Sequence, residues 1–256
     1  RFWASVSRSV RTPARAEHDV SIHQRTQLVS DPRLPTSIPV AVMVNGNDNY
    51  VSEVQLAYEL GYRFTFANKA SLDLTAFYNN YDKLRSTQLG KPSVAGTFPD
   101  LIVTQPTFFT NDNKGSTYGF ELAAVWQMAD WWRWDVSYSL LKTHINATAY
   151  SQTQISPTHK TSIRAGLTPI KNINLDFWLR YTGSTQAIAP NHDRELKIND
   201  YVTLDVRLGW QVHPSLEFSI SGQNLLDDHH FEYLEETFVI PTEIPRAVYG
   251  KLTWQF

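Results

Sequence analysis

Histidine and arginine are the residue types in this chain whose placement could do chemistry. His18 and His23 fall in a long segment, 12–50, between two strand-like stretches. His192 precedes Asp193 and Arg194, and His229 and His230 precede Glu232. Imidazoles beside carboxylates can ligate a divalent metal or a haem iron. None of these histidines has the i, i+4 helical spacing of a catalytic metal site, so they are candidate ligand contacts in loops, and no resident metal is expected. Arg8 and Arg11 sit where the first strand runs into its long segment, while Arg180 and Arg207 lie on later strands. A guanidinium fork suits anionic chelates, which makes these four arginines candidates for a ligand path. In Gly115-Ser-Thr-Tyr-Gly119 the serine is in the wrong place for a nucleophile elbow. The sequence has no phosphate-cradling loop and no dinucleotide fingerprint, so no catalytic residue, cofactor or enzymatic activity is expected. It has no cysteine either, which excludes disulfide scaffolds and thiolate metal sites.

Strands must position these residues. In 51–63, Val54, Leu56, Tyr58, Leu60 and Tyr62 alternate with Glu53, Gln55, Ala57, Glu59, Gly61 and Arg63. In 200–212, Val202, Leu204, Val206, Leu208 and Trp210 alternate with Thr203, Asp205, Arg207 and Gln211. The last strand, 245–256, sets Val248, Gly250, Leu252, Trp254 and Phe256 against Tyr249, Lys251, Thr253 and Gln255. A period of two gives each strand one apolar and one wet face. About ten strands read this way along the chain, and the pattern never stops on a helix. The wet faces carry full charges, among them Glu59, Asp73, Glu121, Asp135, Arg164, Asp176 and Glu217.

The connections alternate in length. Short turns fall near 64–69, 128–130, 169–171 and 212–215; long segments fall at 12–50, 84–115, 145–158, 184–199 and 225–244. Long loops at one end and short turns at the other are the arrangement of an outer-membrane barrel, whose tilted strands need ~9–11 residues to cross. No apolar run approaches the ~18 residues of a membrane helix. Aromatics make up 13% of the chain. Trp3, Trp126, Trp131, Trp132, Trp134, Trp210 and Trp254 cluster near the short turns, as an aromatic girdle at one membrane surface would. The net charge of −2 gives no basic footprint for nucleic acid. The chain begins Arg1-Phe2-Trp3 as if in mid-strand, so a piece of a longer protein is expected. A passive porin-like channel and a soluble carbohydrate-binding β protein remain as competing readings.

Several local words resemble TonB-dependent outer-membrane receptors. They are the stretch from Trp3 to Pro13, the stretch from Leu72 to Asp82, Tyr118-Gly-Phe-Glu121, Ser156-Pro-Thr-His159, Asn224-Leu-Leu-Asp227 and the terminal Phe256. The resemblance implies an all-β fold: an antiparallel transmembrane β-barrel segment, about ten strands of a barrel of roughly 22, with long extracellular loops and short periplasmic turns. Residues 1–256 would then be the C-terminal portion of that barrel, with the plug domain and N-terminal strands outside it. The resemblance further implies residence in the outer membrane of a Gram-negative bacterium and uptake of a ferric siderophore or other iron chelate. It implies energy from the TonB complex acting through the plug. Phe256 would be the signal read by the barrel-assembly machinery.

Overall fold

The computed structural model describes residues 1–30, 36–97, 100–146, 156–188, 195–232 and 242–256. The strands come in this order: β1 (Phe2–Arg11), β2 (Ser21–Val29), β3 (Ile38–Asn45), β4 (Glu53–Phe66), β5 (Ala70–Leu89) and β6 (Ser93–Ala95). They continue with β7 (Ile102–Ala129), β8 (Trp132–Asn146), β9 (His159–Ile170), β10 (Ile173–Thr182), β11 (Thr185–Ile188) and β12 (Glu195–Ile198). The last are β13 (Tyr201–His213), β14 (Leu216–Gln223), β15 (His229–Phe231), β16 (Glu243–Pro245) and β17 (Ala247–Trp254). Among the described residues one short helix, α1 (Arg15–Asp19), interrupts the all-strand pattern expected from the sequence.

Ten strands form one antiparallel meander in the order β1-β4-β5-β7-β8-β9-β10-β13-β14-β17. Neighbours in this row follow one another in sequence order, with β2, β3, β6, β11, β12, β15 and β16 set in the connections between them, as in an up-and-down barrel wall. The register keeps like faces together. Leu60 lies opposite Ala76, Ala76 opposite Phe120, and Phe120 opposite Leu140. The charged phase does the same on β10 and β13, where Asp176 lies opposite Arg207. A slip of one residue would exchange the two faces, so the alternation itself pins the register.

The wall is inside-out relative to a soluble β protein. Among the described residues, the buried set is largely small or polar, including Ala57, Thr203, Ser219 and Ser221. Leu60, Trp210, Phe218 and Leu252 are exposed. A soluble sandwich would bury such side chains against a second sheet. A continuous exposed apolar face instead fits a hydrocarbon solvent.

The short ends are tight. Ala67 and Asn68 both adopt positive φ, 45° and 54°, and Lys69 donates its N–H to the Phe66 carbonyl at 2.8 Å. This is the geometry of a two-residue hairpin turn that matches strand twist. The other ends differ from expectation. The segment 84–115 is mostly strand rather than loop, because β5 runs to Leu89 and β7 begins at Ile102. Bulges around Lys83, at φ 58°, shift the β5–β7 register between Tyr81 and Leu84 and again before Ser86. A bulge breaks the period of two, so alternation no longer marks the strand in the sequence. With 28 residues, β7 far exceeds what one crossing needs. The described residues of 12–50 are largely structured too: β2 pairs antiparallel with β3, and β3 pairs in parallel with the extension of β7.

Trp3 departs from the expected girdle. It stands opposite Gly61 on the charged face, and its ring occupies the space a side chain at Gly61 would fill. Its odd position dictates this, since Phe2, Val6 and Val10 hold the apolar phase of β1. The remaining members of the set stay on the apolar face or in its turns, with Trp126, Trp131, Trp210 and Trp254 exposed.

Candidate functional site

The charged face carries an ion-pair ladder running across strands. Arg164 on β9 donates to Asp176 on β10 at 3.0 Å. Asp176 also lies 3.7 Å from Arg207 on β13, and Arg207 pairs in turn with Glu217 on β14. Two guanidinium groups and two carboxylates thus alternate over four strands. Arg207 lies flat across Gly209, where a Cβ would meet its guanidinium at 2.8 Å. Higher on the same face, Arg180 donates to Asp205 at 2.8 Å and to Thr203 at 2.9 Å. The Arg180 guanidinium also stacks 4.2 Å from the Trp178 ring, and Trp178 Nε1 donates to Ser162 at 2.7 Å. Arg63–Asp73 and Arg133–Asp135 are further matched pairs on this face. The face is polar but locally neutral, which suits a water-filled passage.

A second cluster braces the long-loop end. Arg11 pairs with both Glu17 of α1 and Glu53 at the start of β4, the latter at 2.8 Å. Glu17 is 3% exposed, accepts the Ala14 N–H at 2.6 Å and lies 3.9 Å from Arg85 of β5. Burial alone would push the Glu17 carboxyl up, but the Arg11 hydrogen bond, the Ala14 N–H and the two guanidinium charges hold it below its usual range. The Tyr50 hydroxyl donates to Glu53 at 3.0 Å, and burial with that carboxylate pushes the phenol up to about 12.

The other residues named from sequence are dispersed. Arg8 shares the phase of Val6 and Val10 on the apolar face, opposite Leu56. His18 meets the Tyr50 ring edge-on at 6.5 Å, and His23 lies 2.8 Å from the Thr26 hydroxyl. His229 is 3.5 Å from Glu243. His230 sits on the Tyr201 ring at 4.3 Å, between Asp227 and Glu232. His192 lies outside the described residues. Among the described residues no group of three or more His, Asp or Glu is placed to hold a metal ion. Phe256 projects fully exposed beyond β17. Sequence reasoning missed Trp178, whose phase on β10 matches Asp176 and Arg180, and Glu17, which lies only six residues from Arg11 but on a short helix the period of two does not mark.

The recognisable words have structural jobs. Gly119 allows β7 to approach β8 so closely that a Cβ would meet the Leu140 carbonyl at 1.9 Å. His159 opens β9 by accepting or donating at Nδ1 with the Tyr138 hydroxyl, 2.7 Å away. Asn224, buried at φ 51°, donates its N–H to Asp205 at 3.0 Å and its amide to the Ile244 carbonyl at 3.2 Å. It thereby ties the end of β14 to β13 and to the start of the last strand pair.

An antiparallel meander with a charged inner face, an apolar outer face and sorted connections defines a wall of a transmembrane β-barrel. Residues 1–225 match the family described as TonB dependent receptor-like, β-barrel, and the chain belongs to that family. It is 23% identical over 194 residues to the pesticin receptor of Yersinia enterocolitica, covering 72% of this chain and 26% of that receptor. The pesticin receptor of Yersinia pestis matches at 23% over 192 residues. Among solved structures, a ferric enterobactin receptor mutant from Pseudomonas aeruginosa in complex with enterobactin superposes with a TM-score of 0.76 at 16% identity. That match covers 100% of this chain and 38% of the other. The ferric yersiniabactin uptake receptor of Yersinia pestis gives 0.64 at 19%, covering 100% and 35%. These likenesses establish the fold. The chain spans about a quarter of the length of the curated relatives it matches.

Proposed function

We propose that residues 1–256 form the C-terminal portion of the barrel of a TonB-energised receptor in a Gram-negative outer membrane. The plug and N-terminal strands would come from the rest of the protein. Its cargo is a ferric siderophore or similar iron chelate, the class named for the ferric enterobactin and ferric yersiniabactin receptors whose fold it shares. The observation that carries this reading is the pairing of a hydrocarbon-compatible wall with an arginine-bearing inner face in a TonB-dependent receptor barrel. The short turns face the periplasm and the long connections the exterior. The ligand path runs past Arg180 and Arg207, with Trp178 stacked beside Arg180 as a platform for an aromatic chelate. Arg11 braces the mouth. The loop histidines offer further contacts, and Phe256 is the handle for barrel assembly.

The test is uptake of radio-iron presented as ferric yersiniabactin or ferric enterobactin to cells carrying the full-length protein. Uptake of one of these chelates is expected to require both this gene and TonB. Uptake that continues without TonB would instead favour a passive channel.

A further inference from the structure

The apolar face is not apolar all the way to the long-loop end. On β7 and β8 the hydrocarbon-facing phase passes from Phe120 and Leu140 to Tyr118, Lys142, Ser116 and His144. Tyr118 stands opposite Lys142, and Ser116 opposite His144. The His144 ring stacks on Tyr118 at 5.8 Å, with Nε2 3.5 Å from the tyrosine hydroxyl. Among the described residues no carboxylate pairs with Lys142; Asp82, on the same face two strands away, is held by Lys114 at 3.0 Å. One register row below Tyr118, Leu60, Leu74, Ala76 and Phe120 line an apolar groove of about 200 Å³, opened by the small side chain of Ala76.

A lysine on a lipid-facing wall extends its ammonium to the interface and needs an anion there. We propose that this patch binds the phosphate of an anionic lipid in the outer leaflet. Lys142 supplies the charge, and His144 and Tyr118 supply ring N–H and O–H donors. Phe120, Leu140 and the groove beneath take an acyl chain. Charge complementarity selects the occupant: an ammonium without a protein partner, at the height where tyrosines replace aliphatic residues, meets a headgroup phosphate. The inference rests on the membrane reading but not on which chelate is transported.

The experiment uses the full-length protein in nanodiscs of phosphatidylcholine, with or without a minor fraction of phosphatidic acid. Native mass spectrometry after detergent release reads the retained lipid. Phosphatidic acid is expected to be retained over phosphatidylcholine, and Lys142→Gln with His144→Gln to lower retention about tenfold. Lys142→Arg should keep it. Equal retention by the double variant, or competition by inorganic phosphate alone that fully displaces the lipid, overturns the proposal. Iron uptake measured in parallel separates the two readings: loss of lipid retention with uptake intact supports the site, and loss of uptake in the wild type touches only the transport function.

Discussion

Glu17 shows how one carboxylate can hold a loop. It is enclosed at 3% exposure and bound by Arg11 and the Ala14 N–H, so its charged form is stabilised in the folded state. Its carboxyl is held below the ordinary value of 4.5. A lowered folded value contributes stability that is fully present above the ordinary range and lost as pH falls through the lowered value. Residues 12–20 should therefore resist limited proteolysis at neutral pH and become cleavable as pH drops below 4.5. Glu17→Gln, which removes the charge but not the volume, should make the segment cleavable at neutral pH and flatten the pH dependence, at a cost of about 1–3 kcal/mol. This brace was illegible in the sequence because Arg11 sits between two glutamates, and one of them, Glu53, is 42 residues away. Trp178 was legible. Its even position on β10 shares the phase of Asp176 and Arg180, and only its apolar character argued against the inner face.

At the scale of the element, alternation decides which substitutions are tolerated. Leu122 and Glu121 are neighbours on β7 with opposite faces, Leu122 opposite Tyr138 and Glu121 opposite Ser139. Leu122→Arg should cost ~2–4 kcal/mol near the bilayer midplane, whereas Glu121→Arg should cost far less. Denaturant titration of both variants in lipid gives the comparison; equal costs would reject the face assignment. The β4–β5 turn offers a second test. Ala67 at φ 45° occupies a region that glycine tolerates better, so Ala67→Gly should stabilise the hairpin by ~1 kcal/mol, read by the same titration. The strand cores were readable because a half-hydrocarbon, half-water environment imposes a strict period of two. The extensions of β5 and β7 were not, because bulges near Lys83 and Asn113 reset the phase.

At the scale of the molecule, the ten-strand meander, its sorted connections and its exposed apolar side chains describe one wall with two solvents. The sequence carried this architecture because a membrane constrains every residue of a crossing strand. The contacts of the candidate residues were less legible, because pairs such as Arg180 with Asp205 and Arg11 with Glu53 are set by tertiary structure. The central claim is that hydrocarbon covers one face while water reaches the other. The absence of cysteine makes a clean measurement possible on this segment. Single cysteines placed along 202–210 in the full-length protein, spin-labelled in lipid, report collision with lipid-soluble oxygen by power saturation. Oxygen access should peak at Val202, Leu204, Val206, Leu208 and Trp210 and fall at Thr203, Asp205, Arg207 and Gly209. A profile without that two-residue alternation, or one in the opposite phase, would contradict the account.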